Sequence, residues 1–183
     1  NEISKLKLNV KDYHLETKGA VISGNLKLED LDNPSYDTNT KIKIALAETK
    51  ALLPDSLVSE LSGGITIDIQ SKAHLNMDSI ADQAIKAAFE SSIIQVELNN
   101  VTAHSDMDPL YKIENLSGSM GSDHRAIRII DLVGKVGGIE FSIDSTIIEN
   151  LYNTVIKNQH GKLLVDTRIS LGDLDYSMFA PFM

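Results

Sequence analysis

The chain has no cysteine and no tryptophan. Without thiols there is no disulfide, no thiolate nucleophile and no Cys-based zinc site. Aromatic residues are only 5% of the 183, so a core must be aliphatic and few rings are available to stack on a sugar. No uninterrupted apolar run approaches the roughly 20 residues that cross a bilayer as a helix, and no secretory signal stretch is visible. Basic residues are outnumbered, 17 Lys and Arg against 26 Asp and Glu, for a formal net charge of -9. An acidic surface repels phosphate backbones and anionic headgroups, so no nucleic-acid partner is expected.

What the chain does have is alternation. Hydrophobic residues are 42% of the total, and many recur with period two, which sends successive side chains to opposite faces of a strand. The clearest stretch is 116–155. Ile127 and Ile129 alternate with polar neighbours, Gly134, Gly137 and Gly138 break the run, and Ile139, Phe141 and Ile143 alternate with Glu140, Ser142 and Asp144. It reads as strand, turn, strand, short helix. Similar strands are expected over residues 3–10 and on to Thr17, 20–29, 41–47, 64–75, 94–98, 111–116 and 163–171. In the fourth of these, Ile65, Ile67 and Ile69 share a face. Asn99-Asn100 is expected to bend the chain before Val101 and Ala103. Gly24, inside a strand pattern, marks a bulge or a close backbone approach. Residues 30–39 read as a polar loop punctuated by Pro34. Ser-Gly recurs at Ser23-Gly24, Ser62-Gly63 and Ser117-Gly118, a hint of a degenerate repeat.

Three segments change period. Pro54 to Gly63, with Leu57, Val58 and Leu61 on one side, predicts a short helix. Residues 78–91 are the best helix candidate, with a stripe of Ile80, Ala84, Ile85, Ala88 and Phe89 and a Ser79–Asp82 cap. Thr146 and Glu149 bracket a capping box for a helix carrying Ile148, Leu151, Tyr152 and Val155. The rhythm is that of a meander, not of βαβ units. The expected fold is mainly β with a few short helices and a predominantly antiparallel sheet, in a single domain over 1–183.

No motif carries bond chemistry. His14, His74, His104, His124 and His160 have no spacing that converges on a metal and read as solvated surface. Asp106-Met107-Asp108 and Glu29-Asp30-Leu31-Asp32 lack the acidic spacing and central glycine of a calcium loop and read as turns. A carbohydrate-acting enzyme needs two carboxylates at a set separation, and the scarcity of aromatics counts against one. In Gly134-Lys135-Val136-Gly137-Gly138 the lysine follows the first glycine and a strand comes next, which is a hairpin turn and not a phosphate loop. No Gly-x-Ser-x-Gly elbow is present. The expectation is no enzyme, no metal and no cofactor. Adjacent aliphatics at Ile129-Ile130, Ile147-Ile148 and Leu163-Leu164 place apolar groups on both faces of a strand. Either both faces are covered, partly by short helices, or one is packed and the other lines an apolar groove.

Leu116-Ser117-Gly118-Ser119, followed by Leu132-Val133-Gly134-Lys135-Val136-Gly137-Gly138-Ile139-Glu140-Phe141-Ser142-Ile143-Asp144, resembles the AsmA-like family of bacterial envelope proteins. A second similar piece is Ile22-Ser23-Gly24-Asn25-Leu26-Lys27-Leu28-Glu29-Asp30-Leu31 with Asn33-Pro34. The resemblance implies an elongated, curved sheet forming a groove that passes phospholipid or another acyl-chain lipid. It also implies a periplasmic location, a role in outer-membrane homeostasis and a membrane anchor lying outside this chain. The chain begins at Asn1 and on this reading is a fragment of a longer envelope protein. The groove candidates are Ile65, Ile67, Ile69, Val96, Leu98, Ile127, Ile129, Phe141 and Ile143. The rival expectation is a structural or assembly module that contacts other envelope proteins without bound lipid.

Overall fold

A computed structural model describes residues 6–30, 33–54, 57–74, 90–105, 112–123, 126–157 and 159–173. The alternating stretches are nine strands: β1 (Lys7–Thr17), β2 (Ala20–Glu29), β3 (Ser35–Ala45), β4 (Glu60–His74), β5 (Ser92–His104), β6 (Lys112–Ser122), β7 (Ala126–Val136), β8 (Ile139–Glu149) and β9 (Leu164–Leu171). They form one sheet in chain order, each strand antiparallel to the next. The sheet is open, with β1 and β9 at its edges. The expected mainly β, antiparallel architecture is the observed one. Gly137-Gly138 makes the two-residue turn between β7 and β8, with φ of 57° and 89°. Positive φ at both central positions is what such a turn demands and what glycine supplies.

Among the described residues, helical structure is confined to short pieces. A single turn, α1 (Leu46–Thr49), runs into a tighter turn at Lys50–Leu52, and a π-helical turn spans Tyr152–Ile156. The first of these corrects the expected helix between Pro54 and Gly63: the helical turn precedes the proline. Leu53 is extended, with φ -105° and ψ 145°, because the ring of a following proline disfavours helical backbone, and Leu61, Ser62 and Gly63 already belong to β4. The expected capping box is also corrected. Thr146 opposes Ile129 and Glu149 opposes Ala126 within the β7–β8 ladder, so helical structure starts only after β8 ends. The loop expected over 30–39 is shorter, since β3 begins at Ser35. Most of the helix candidate at 78–91 lies outside the described residues, as do Asp106 and Asp108.

The ladders are interrupted along a line. Register shifts fall at Ser62/Gly64 between β4 and β5, at Leu98/Val101 between β5 and β6, at Ser117/Ser119 between β6 and β7, and at Ile143/Ser145 between β8 and β9. Gly63, Asn100, Asn115 and Asp131 all have positive φ there, a conformation that Asn and Asp tolerate better than other side chains. The interruptions touch. The Asn100 N–H donates to Ser117 Oγ at 2.9 Å, and the Ser117 hydroxyl donates to Asn100 Oδ1 at 3.1 Å. A Cβ on Gly63 would lie 2.3 Å from Asn100 O, and one on Gly118 2.6 Å from Leu132 Cα. Each bulge bends its strand and adds twist, and a row of them curves the sheet. All three Ser-Gly pairs sit at such points: Gly63 and Gly118 on the line, and Gly24 opposite the shift between Val10 and Tyr13 in β1. They are bulge signals, and Asn99-Asn100 bends β5 as expected.

Little is buried. Val101, Ala126 and Leu132 are the buried apolar residues, and no described side chain is below 2% exposed. The chain exposes 12251 Å², against roughly 8,700 Å² expected for a compact monomer of 20.0 kDa. Domains normally press two layers together; among the described residues the sheet presents one layer.

Candidate functional site

Directly opposed residues in an antiparallel ladder share a face. Followed from strand to strand, the register builds a row across all nine: Leu15, Ile22, Ile42, Ile67, Val96, Met120, Ile129, Thr146 and Thr167. Beside it, Ile69 opposes Ile94, and Ile127 opposes Ile148, which opposes Val165. On the other side Ile44 opposes Ile65 and Ile65 opposes Leu98. Past the bulges, Leu132 opposes Ile143, which opposes Ile169, and Gly134 opposes Phe141. All nine groove candidates therefore lie on one face. Ile42, Ile94, Met120, Leu132 and Ile148 join them. Sequence reasoning missed these five as a group because it supplies the facing direction within a strand but not which residue lies across from which.

The face carries no charge at any ladder position. Its polar members are hydroxyls, and several pair with one another. Tyr13 OH lies 2.5 Å from Thr40 Oγ1, Tyr36 OH lies 2.9 Å from Ser71 Oγ, and Ser92 Oγ donates to Ser71 Oγ at 2.7 Å. These bonds leave ring and methyl surface toward the solvent. Tyr36 and Thr38 fall in the expected loop; their cross-strand partners on β2 and β4 make them strand. In the central strands the aliphatics are half-buried by their neighbours, while at the margins Leu15, Ile169 and Leu171 are 60%, 54% and 59% exposed.

The reverse face is charged. Lys41 pairs with Asp68 at 3.1 Å, Lys72 with Asp37 at 3.3 Å, and Glu29 with Lys27 at 3.1 Å and Lys7 at 3.5 Å. The Lys27 hydrogen bond and charge, with help from Lys7, hold the Glu29 carboxyl below its ordinary range. The hydrogen bond from Lys112 does the same for Glu114. Ile130 and Ile147 stand on this face, exposed at 45% and 36%. The adjacent aliphatics thus split between the faces. Among the described residues no helix covers either one; α1 packs mainly on the β3–β4 end.

At the opposite end, beside the Tyr152–Ile156 turn, a depression of about 360 Å³ is lined by Ile127, Ile148, Leu151 and Tyr152 together with Glu90, Asp123 and Glu149. Lys157 lies 3.3 Å from Glu90 and over the Tyr152 ring, both lining residues.

His14, His74 and His160 are exposed. His104 is not the solvated residue expected: its ring is half-buried at the end of β5 with Nδ1 3.0 Å from Glu60. Among the described residues no three His, Asp or Glu side chains converge on a metal position, and no helix is long and apolar enough to cross a membrane. Compared with family models, with curated proteins and with solved structures, the chain matches none of them.

Proposed function

We propose that this chain is a non-enzymatic lipid-binding or lipid-conducting segment of an AsmA-like envelope protein, supporting phospholipid transfer and outer-membrane homeostasis from the periplasm, with its membrane anchor in a segment outside this sequence. One observation carries the reading: a curved, single-layer sheet keeps every charge of its ladders on one face and leaves the other aliphatic and open. Among the described residues no layer covers this charge-free surface, and exposed apolar patches of this extent mark interaction sites.

Dimensions and energies favour a two-chain lipid. Eight inter-strand steps at about 4.8 Å make the central row roughly 38 Å long, whereas the hydrocarbon of one leaflet is about half of the ~30 Å bilayer core. An acyl chain lying on an open face loses about half its water contact. At about 0.8 kcal/mol per fully buried methylene, ten methylenes then contribute about 4 kcal/mol. Two chains contribute about 8 kcal/mol, the micromolar range, and one alone only the millimolar range. The aliphatic surface needs no aromatic platform and no headgroup charge to do this.

Native mass spectrometry of purified protein, with solvent extraction of whatever co-purifies, tests the reading. Bound phospholipid is the expected result. Lipid-free protein that also fails to take up phospholipid from vesicles sinks it. The exposed margins β1 and β9, unpaired on their outer sides among the described residues, favour a second reading, an assembly module that joins other envelope proteins through its sheet edges. A stable protein partner with no lipid supports that one.

A further inference from the structure

The two edges of the sheet differ. β1 contains a register shift between Val10 and Tyr13 and carries Lys7 and Lys11; bulges and lysines are the devices that stop an edge from recruiting another strand. β9 has none of them. Its sequence, Leu-Val-Asp-Thr-Arg-Ile-Ser-Leu, has no lysine or proline, and all eight residues are exposed. It is regular throughout, because the bulge in the β8–β9 ladder belongs to β8, at Asp144.

We propose that β9 is a self-complementary edge through which two copies of this chain join, antiparallel, into one continuous sheet. The Gly172 N–H donates to Glu140 O at 2.9 Å. Strand alternation then turns residues 170, 168 and 166 toward β8 and leaves the N–H and C=O groups of Val165, Thr167 and Ile169 pointing outward. A two-fold axis at Thr167 sets these groups against their own equivalents. In that register Val165 faces Ile169 of the second copy and Asp166 faces Arg168, each pair occurring twice, as an isologous contact requires. The aliphatic pairs fall on the charge-free face and the ion pairs on the charged one. The two neighbouring registers that preserve the same hydrogen bonding set Arg168 against Arg168, or Asp166 against Asp166, and like charges directly opposed are unfavourable. Charge therefore selects the register. Arg168 is available for it: among the described residues it reaches Asp144 alone, at 3.8 Å, with its side chain 79% exposed. The pairing continues the charge-free face into the second copy, and it stands whether or not that face binds lipid.

The contact is one strand wide and sits at the weak end of protein interfaces, so the full chain is measured by sedimentation equilibrium up to concentrations on the order of 100 µM. The mass should rise from 20.0 kDa toward twice that value. Arg168→Asp and Asp166→Arg, each expected to keep the parent circular dichroism, should weaken association at least tenfold on their own. Mixed in equal amounts they should associate again, because every charged pair across the axis is then of opposite sign; the double variant should do the same alone. A parent that stays monomeric over the whole range overturns the proposal. So does a single variant that associates as well as the parent, or a mixture that remains monomeric.

Discussion

Replacing Ile67 with aspartate puts a carboxylate at the middle of the aliphatic row, between Ile42 on β3 and Val96 on β5. Among the described residues no cation on that face is placed to neutralise it; Lys41 and Lys43 of the adjacent strand flank Ile42 and lie on the reverse face. An acyl chain crossing Ile67 rests about three methylenes on it. Half-covered, these supply roughly 1 kcal/mol, and bringing hydrocarbon against an ionised group adds a desolvation cost of at least similar size. The expected loss is about 2 kcal/mol, roughly a 30-fold weaker affinity. The assay is displacement of a fluorescent acyl-chain probe, alongside phospholipid recovery in native mass spectra. Because Ile67 is half-exposed in the free chain, the β-rich circular dichroism should persist. The paired control is Asp68→Asn, one residue along the same strand but on the charged face, which should leave lipid recovery unchanged. Equal lipid binding by a folded Ile67→Asp variant, or equal losses from Ile67→Asp and Asp68→Asn, would refute the face assignment.

Other outcomes follow from the backbone and the charges. In Gly24→Ala the new Cβ would lie 2.0 Å from Asn39 O and 2.8 Å from Tyr13 OH; parting β2 from β3 and losing the Tyr13–Thr40 hydrogen bond should cost about 3 kcal/mol in urea denaturation, and a cost under about 1 kcal/mol contradicts the close approach. Asn100→Val puts a β-branched residue at φ 48° and deletes the acceptor for the Ser117 hydroxyl, for a loss of about 2–3 kcal/mol, whereas Asn100→Gly should lose clearly less; equal losses would mean that backbone conformation is not what asparagine supplies. Glu29 titrates below its ordinary value of 4.5 because Lys27, and then Lys7, favour the carboxylate. Its folded pKa is the lower one, so its contribution is complete above pH 4.5 and disappears as pH falls through the folded value. Glu29→Gln should therefore differ from the parent in melting temperature at neutral pH, with the gap narrowing as the pH is lowered below 4.5; a gap that stays constant would rule this ion pair out as the cause.

The alternation of Ile65, Ile67 and Ile69, or of Ile139, Phe141 and Ile143, already says which side chains point the same way, because period two is a property of the extended backbone itself. The same local logic fixes the Gly137-Gly138 turn and the bend at Asn100. Local logic misled where a neighbour decides. Tyr36 and Thr38 look like a loop until their partners on β2 and β4 make them strand, and the helical turn falls ahead of Pro54 because β4 claims Leu61 to Gly63. The alignment of separate bulges into one curving line, and the meeting of Ile67 with Ile42 and Val96, depend on register between strands, which alternation within each strand leaves undetermined. Above all, a run of alternating aliphatics is written identically whether its face is sealed in a core or open. Only the three-dimensional arrangement distinguishes the two, since burial depends on what lies opposite a face and not on the strand that carries it.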